Sequence, residues 1–343
     1  MVGRIGLPLC KAVAMPTNHP ANQFNPSPNQ APTNRAPHAF KSPANSSPSP
    51  NTFFRMTQAD RQALLATPFV VLIGIGFAFA GSNGAPLAHG IHPFALSVAL
   101  AFIINWLAFI PAFIWQTEKY FDLVGSLSYI TVALVSFIYS GHRDPLACLL
   151  LAMVLIWAAR LGTFLFKRIH KSGKDGRFDA MKPSFIRFSA AWTLQGLWVT
   201  FTAAAALAAI SADFRPQLGL ATILGSLIWI AGFAIEAIAD LQKSRFKANP
   251  DNQGKFISSG LWSRSRHPNY FGEILLWIGV AFIAFPALQG WQYLTLLSPV
   301  FVAILLCKVS GIPLLEERAD EKWGGQPDYE AYKKNTPVLL PRI

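Results

Sequence analysis

The chain is short of charge and of cysteine. Asp, Glu, Lys and Arg make up 13% of its 343 residues while 52% are hydrophobic, a balance that excludes an ordinary soluble domain of this size. The cysteines are Cys10, Cys148 and Cys307. They stand far apart, two of them in apolar runs, so neither a disulfide framework nor a cysteine metal site is encoded. No G-x-G-x-x-G follows a strand-like run, which excludes a soluble-type dinucleotide fold, and no internal repeat is visible. His89 and His92 in "AHGIHP" have metal-ligand spacing but no third ligand nearby, and they read as structural.

What the chain has instead is long apolar stretches. Eight runs are candidates to cross a bilayer, at about 62–80, 93–115, 121–139, 145–166, 188–210, 217–239, 270–288 and 291–309. The third, interrupted by Ser126, Ser128 and Tyr129, and the seventh are the weakest. The expected fold is therefore an all-α, polytopic transmembrane bundle of seven to eight spans. It fills nearly everything after residue 60 and leaves no room for a separate soluble catalytic domain, so chemistry must take place within or against the bundle. Residues 1–55 hold ten of the 25 prolines and many Asn and Ser, and are expected to be a disordered tail before a domain at 56–343. Lys11 breaks the only signal-like opening, and Met56 is an alternative start to Met1.

The net charge is +12, but its distribution points away from nucleic acid. Lys167, Arg168, Lys171, Lys174, Arg177, Lys182 and Arg187 crowd one loop, and Lys243, Arg245, Lys247, Lys255, Arg264 and Arg266 another. The intervening loops near 81–92, 140–144, 211–216 and 288–291 hold only Arg143 and Arg215. This alternation places both basic loops and both termini in the cytoplasm. The same loops are suited to an anionic ligand.

Polar groups inside spans are costly and therefore informative. Asn105, Asp122, Arg160, Gln195, Glu236, Asp240 and Glu273 are the ones present. Arg160 lies close enough to Lys167 to snorkel to the interface. Glu236 and Asp240 share one face of the sixth span; either they pair with Lys243 or Arg245, or they accept from the hydroxyls and N–H groups of a ligand. In "SRSRHPNYFGE", residues 263–273, the spacing predicts a helix starting at Pro268 or Asn269. Asn269 and Glu273 then share a face, and Arg266 and His267 stand at the positive helix end, which favours an anion such as phosphate. A ligand with a phosphate end and a polar uncharged end fits this set, and a nucleotide cofactor is such a ligand.

Together "RHPNYFGE" and the closing "LLEERADEKWGGQPDYEAYKKNTPVLLP" resemble the steroid 5α-reductase C-terminal superfamily, most closely its bacterial DUF1295 branch of integral membrane proteins. Sterol reductases and isoprenylcysteine carboxyl methyltransferases share that architecture. The resemblance covers about Glu236 to Pro341 and implies a helical-bundle enzyme of a bacterial inner membrane, with its cofactor among the C-terminal helices and a lipid or steroid-like substrate. Carried over by motif, the residues that resemble the NADPH site of the reductases are Asp240, Arg245 or Lys247, Arg266, Asn269, Tyr270, Glu273, Glu317, Arg318, Tyr329 and Tyr332; Glu236 and His267 join them by position. The methyltransferase branch, which uses S-adenosylmethionine, shares the Arg-His-Pro turn but not usually the acid at Glu273, so the resemblance implies an NADPH-dependent reductase of a C=C bond conjugated to a carbonyl.

Such a reaction needs a donor where negative charge collects on the carbonyl oxygen. Tyr129 and Tyr139 are candidates, with Asp122 on the side of the helix that Tyr129 occupies; interfacial anchoring is the alternative for both tyrosines. A lipid methyltransferase and a non-catalytic membrane protein or transporter are the rival readings. The topology can be checked directly: fluorescent-protein fusions after residue 343 or within 167–187 are expected to fluoresce in cells, and phosphatase fusions at 212–219 to be active. The reverse pattern would invert the bundle.

Overall fold

The computed structural model describes residues 56–342; the expected tail at 1–55 lies outside the described residues. Helices α1 (Gln58–Ser82), α2 (Pro93–Ile114), α3 (Phe121–Ser140), α4 (Pro145–Ser172), α5 (Phe185–Ser211), α6 (Leu220–Ala248) and α7 (Pro268–Ala284) follow in order. The chain then forms a 3-10 helix at Gly290–Leu297, α8 (Ser298–Ile304), a π-helical turn at Leu305–Val309, α9 (Ile312–Trp323) and α10 (Pro327–Asn335). Among the described residues, eight helical stretches are long and apolar enough to cross a membrane. Among the described residues the only strand-like pairing is an isolated bridge between Ala88 and Ile91.

Local chemistry sets the helix starts. Thr57 and Asp60 cap α1 reciprocally, and Asp144 accepts from the Leu146 and Ala147 amides ahead of Pro145. Pro93, Pro145 and Pro268 each occupy a first-turn position where the missing N–H costs little. The last span is less regular than its apolar run predicts. It opens as a 3-10 helix, passes through a π-turn and stops at Gly311, where a Cβ would lie 2.3 Å from the Leu306 carbonyl oxygen. Only glycine lets the chain turn there into the polar helix α9.

Helix α5 is the hub, packing on α1, α2, α3, α4, α7 and α8. Its apolar stretch is 83% buried, against 28–50% for the other spans. A run of alanines, Ala203 to Ala206 with Ala208 and Ala209, lets neighbours approach from all sides. Phe77 and Phe301 pack on Phe201, the first stacked at 4.1 Å. Outward-facing Phe69, Phe79, Leu107 and Ile114 are exposed, as lipid-facing side chains should be. Ser128, which weakened the third span as an apolar run, faces inward; its hydroxyl donates to the Val124 carbonyl and accepts from Asn105.

Helix α6 lies along α7, backbone against backbone. Gly225 and Gly232 on α6 meet Gly279 and Gly272 on α7. A Cβ on Gly232 would lie 2.5 Å from the Leu276 amide nitrogen, and one on Gly272 2.6 Å from that of Glu236. The seven-residue spacing on both helices keeps the glycines on one seam. A methyl group at Gly232 or Gly272 must push the helices apart, so Gly232→Ala and Gly272→Ala are each expected to cost about 1–3 kcal/mol in thermal unfolding in detergent. Gly76→Ala in α1, with no atom within 4 Å of the added carbon, is expected to be neutral or to stabilise by up to about 1 kcal/mol.

Candidate functional site

Where α3, α4, α6 and α7 meet, polar side chains stack in layers along the bundle axis. The ion pairs fix the polarity of the stack: Asp122 at the start of α3 lies 3.3 Å from Arg168 near the end of α4, while Asp144 and Arg215 pair at the opposite end. We call the end that carries Arg168 the basic end.

The outermost layer is cationic. Glu236, Asp240, Lys243 and Lys247 lie four, three and four residues apart and so run along one face of α6. The charges of Arg168, Lys243, Lys247 and Lys322 act on one another here, and Arg168 and Arg177 also act on Tyr270. Lys243 sits 4.3 Å over the Trp262 ring. Arg177 is committed to Asp175, at 2.5 Å, and approaches Asp122 at 3.9 Å. Burial works against the Asp175 carboxylate, but the Arg177 hydrogen bond holds its pKa below the usual range.

Below it lies an acid–arginine layer. Arg160 donates to Glu236 through one Nη and to Asp240 through the other. The arginine therefore does not snorkel to the interface, and neither Lys243 nor Arg245 is the partner of these carboxylates. The remaining Asp240 oxygen accepts from Asn269 Nδ2 at 3.2 Å. Glu236 is 2% exposed, and its Oε2 is buried without a donor. Glu273 lies near enough for its charge to act on Glu236 and to feel Asp240 and Arg160. Three carboxylates thus face one guanidinium. The glycine seam makes this possible, because it sets Glu236 against the first turns of α7.

The third layer is aromatic and deeper. Trp157 lies one turn inward of Arg160, and Trp277 one turn inward of Glu273, about 4.5–6 Å along the axis. Their rings meet edge to face at 4.9 Å, and Tyr129 meets Trp157 in the same way at 5.0 Å. Tyr129 is seven residues, about 10 Å, deeper than Asp122, and its hydroxyl reaches the Trp198 carbonyl at 3.4 Å. Tyr129 therefore lies against the site, whereas Asp122 belongs to the cationic mouth and is held there by Arg168 and Arg177.

A side wall comes from the terminal segment. His267 Nε2 lies 2.7 Å from Glu316 Oε1, and Arg266 Nη1 2.8 Å from Glu316 Oε2. Burial lowers the His267 pKa, which Glu316 offsets only in part. Tyr270 stacks on the His267 ring at 5.7 Å. Glu317 and Arg318, the neighbours read as site residues, are exposed; Glu316 takes the inward position. Arg245 is exposed as well, off the face that carries Lys243 and Lys247. Tyr329 donates to Asp320 at 2.9 Å and Tyr332 to the Trp262 carbonyl at 2.7 Å. Both rings pack on Phe256, so they hold α10 to the loop before α7. Burial pushes Tyr332 up to about 12.

Of the expected set, then, Glu236, Asp240, Lys247, Asn269, Tyr270 and Glu273 come together with Tyr129; Arg266 and His267 flank them. Arg160, Lys243, Glu316, Trp157 and Trp277 complete the neighbourhood. An apolar groove of about 530 Å³, lined by Leu220, Leu224, Ala281, Phe282, Phe285 and Leu296, opens at the far end of α6 and α7. It lies some 25–30 Å from Asp240 by helical rise and shares no residue with the stack.

Arg160→Met leaves two buried carboxylates without their cation. It is expected to destabilise the protein by about 3 kcal/mol or more, and the triple change with Glu236→Gln and Asp240→Asn to recover most of that loss. Thermal unfolding of the three proteins in one detergent measures both.

Residues 108–336 match the model of a family described as a protein of unknown function (DUF1295). A curated relative, the probable O-methyltransferase ustE of Ustilaginoidea virens, is 41% identical over 46 residues. That stretch is 13% of this chain and spans only 16% of the relative's length. No solved structure matches the chain significantly. The match to the family model covers well over half of the chain, including every layer of the stack, and the chain is a member of the DUF1295 family of membrane proteins.

Proposed function

We propose that the chain is a membrane-embedded reductase that binds NADPH at the basic end of the bundle, on the cytoplasmic face, and saturates a C=C bond conjugated to a carbonyl in a lipid or steroid-like molecule. The observation that carries this reading is the order of the stack: two lysines without carboxylate partners among the cations of the mouth, hydrogen-bonding groups below them, an aromatic floor beneath. No carboxylate lies within ion-pair distance of Lys243 or Lys247 among the described residues. Their charge suits the phosphates of a dinucleotide. The unpartnered Glu236 Oε2, with Asn269 and Glu273, suits ribose hydroxyls and a carboxamide.

When bound, NADPH supplies the hydride. The chain's own residues do the rest. Arg160 offsets part of the negative charge of Glu236 and Asp240, which lessens the repulsion the layer exerts on phosphates bound above it. Asn269, tied to Asp240, holds the first turn of α7 in register. The aromatic layer keeps water from the reacting end, which strengthens every electrostatic contact there. Tyr129, at the aromatic floor, is the hydroxyl assigned to donate to the substrate, in place of its long contact with the Trp198 carbonyl.

The curated relative, a probable O-methyltransferase, favours a second reading, methyl transfer; in this chain the donor would be S-adenosylmethionine and the acceptor a lipid. In it the carboxylates would face the sulfonium, while the cationic mouth would have no phosphate to answer it.

Calorimetry on purified protein with each cofactor separates the two. NADPH is expected to bind and S-adenosylmethionine not. Lys243→Ala and Lys247→Ala should each weaken NADPH on the order of tenfold, with an affinity that falls as salt rises. Binding of S-adenosylmethionine alone would replace the reductase by the methyltransferase.

A further inference from the structure

The last turns of α4 carry a charged face that no ion pair of the fold uses. Lys167, His170 and Lys171 lie three and four residues apart, so they share one side of the helix. All three are exposed, while Ile169 on the opposite side is buried. None of them has a carboxylate within ion-pair distance among the described residues. The acids of that region are taken by other cations: Asp122 by Arg168 and Arg177, Asp175 by Arg177, Asp179 by Lys174 and Lys182, and Glu118 by Lys182. The two lysines, one turn apart, repel each other. The helix dipole favours cations in the last turn, which reaches His170 and Lys171 but not Lys167. A positive-inside bias asks for cations somewhere in the connection, not for one helical face of them.

Depth decides what can meet that face. Helix α4 has 28 residues and is about 42 Å long by helical rise, against about 30 Å of hydrocarbon in a bilayer. The Asp144–Arg215 pair, just ahead of Pro145, marks its outer end. Roughly twenty residues from there cross the hydrocarbon and reach Phe166, whose exposed ring stacks on His170 at 6.3 Å. Lys167 and Lys171 therefore stand at the depth of lipid headgroups, with an aromatic ring at the edge of the acyl chains. A soluble anion would meet the lysines alone. A phospholipid meets the lysines with its phosphate and the ring with its chains.

We propose that this face is a binding site for an anionic phospholipid of the leaflet at the basic end, with Lys167 and Lys171 on the headgroup and Phe166 against the acyl chains. The lipid phosphate relieves the repulsion between the lysines. It thereby holds the turns of α4 from which Arg168 reaches Asp122. The site lies around the helix from Arg168 and the mouth, and it stands whether or not the reductase reading holds.

The test uses full-length protein in a neutral detergent, read by native mass spectrometry. The probes are dioleoylphosphatidylglycerol, dioleoylphosphatidylcholine and glycerol phosphate, which has the anion without the chains. Phosphatidylglycerol is expected to bind about tenfold or more tightly than phosphatidylcholine, and excess glycerol phosphate should not displace it. Lys167→Gln and Lys171→Gln should each weaken phosphatidylglycerol about fivefold. The double change to arginine should keep the affinity, and Lys255→Gln, at an exposed cation on another loop, should leave it unaltered. The proposal is overturned if the two lipids bind alike, if neither glutamine change weakens phosphatidylglycerol, or if glycerol phosphate displaces the lipid, which would make the face a site for a soluble anion. Should a glutamine variant not fold, phosphatidylglycerol with a photoreactive headgroup decides on the unaltered protein: crosslinks within 163–174 support the site, and their absence there overturns it.

Discussion

The site depends on how closely two helices can approach. Gly225, Gly232, Gly272 and Gly279 clear side chains from four points of the seam between α6 and α7, so the helices approach there main chain to main chain. Dispersion and close packing hold helices together in lipid, where the hydrophobic effect is weak, and small residues gain the most from both. The approach also sets the register. Glu236 and Asp240 come to lie opposite the first turns of α7 because Gly272 faces the backbone of Glu236. A bulkier seam would hold the same polar groups several ångströms apart, and the acid–arginine layer would not form.

Within that layer the electrostatics are unbalanced. One guanidinium serves Glu236 and Asp240, and Glu273 adds a third carboxylate nearby. A buried ion pair with good geometry roughly offsets its own desolvation, whereas an extra carboxylate does not. Such a surplus is a poor way to stabilise a fold and a reasonable way to hold a polar ligand. The cationic mouth above carries the opposite surplus, so the field along the axis changes sign within a few turns. A molecule with charged and uncharged ends would be oriented by that gradient before it made any specific contact.

Much of this was legible in the sequence, and the rest depended on contacts between distant helices. The spans followed from apolar run length, and the start of α7 from Pro268. The shared face of Glu236 and Asp240 followed from their spacing, which would also have put Lys243 and Lys247 on that face and left Arg245 off it. Arg160 was misread because its neighbours in the chain, Lys167 and Arg168, point to the interface, while its partners lie on another helix. Glu317 and Arg318 were expected where Glu316 stands; the phase of α9 is set by the break at Gly311, which an apolar run does not reveal. Tyr329 and Tyr332 were assigned to the cofactor by motif, yet their hydroxyls are occupied by Asp320 and the Trp262 carbonyl. The glycine spacing on α6 and α7 was there to be read, and it is the feature that would have paired these helices without a structure.

The segment after α10 is bound into the same region. The Arg266 amide donates to the Pro337 carbonyl, the Arg342 amide to the Arg264 carbonyl, and the Ser265 hydroxyl to the Leu339 carbonyl. Residues more than seventy positions apart in sequence are thereby fastened to each other just before α7 begins. Tension or a bulky attachment on residues 337–342 would be transmitted straight to His267 and Asn269, because those hydrogen bonds couple that stretch to the layer that holds the carboxylates.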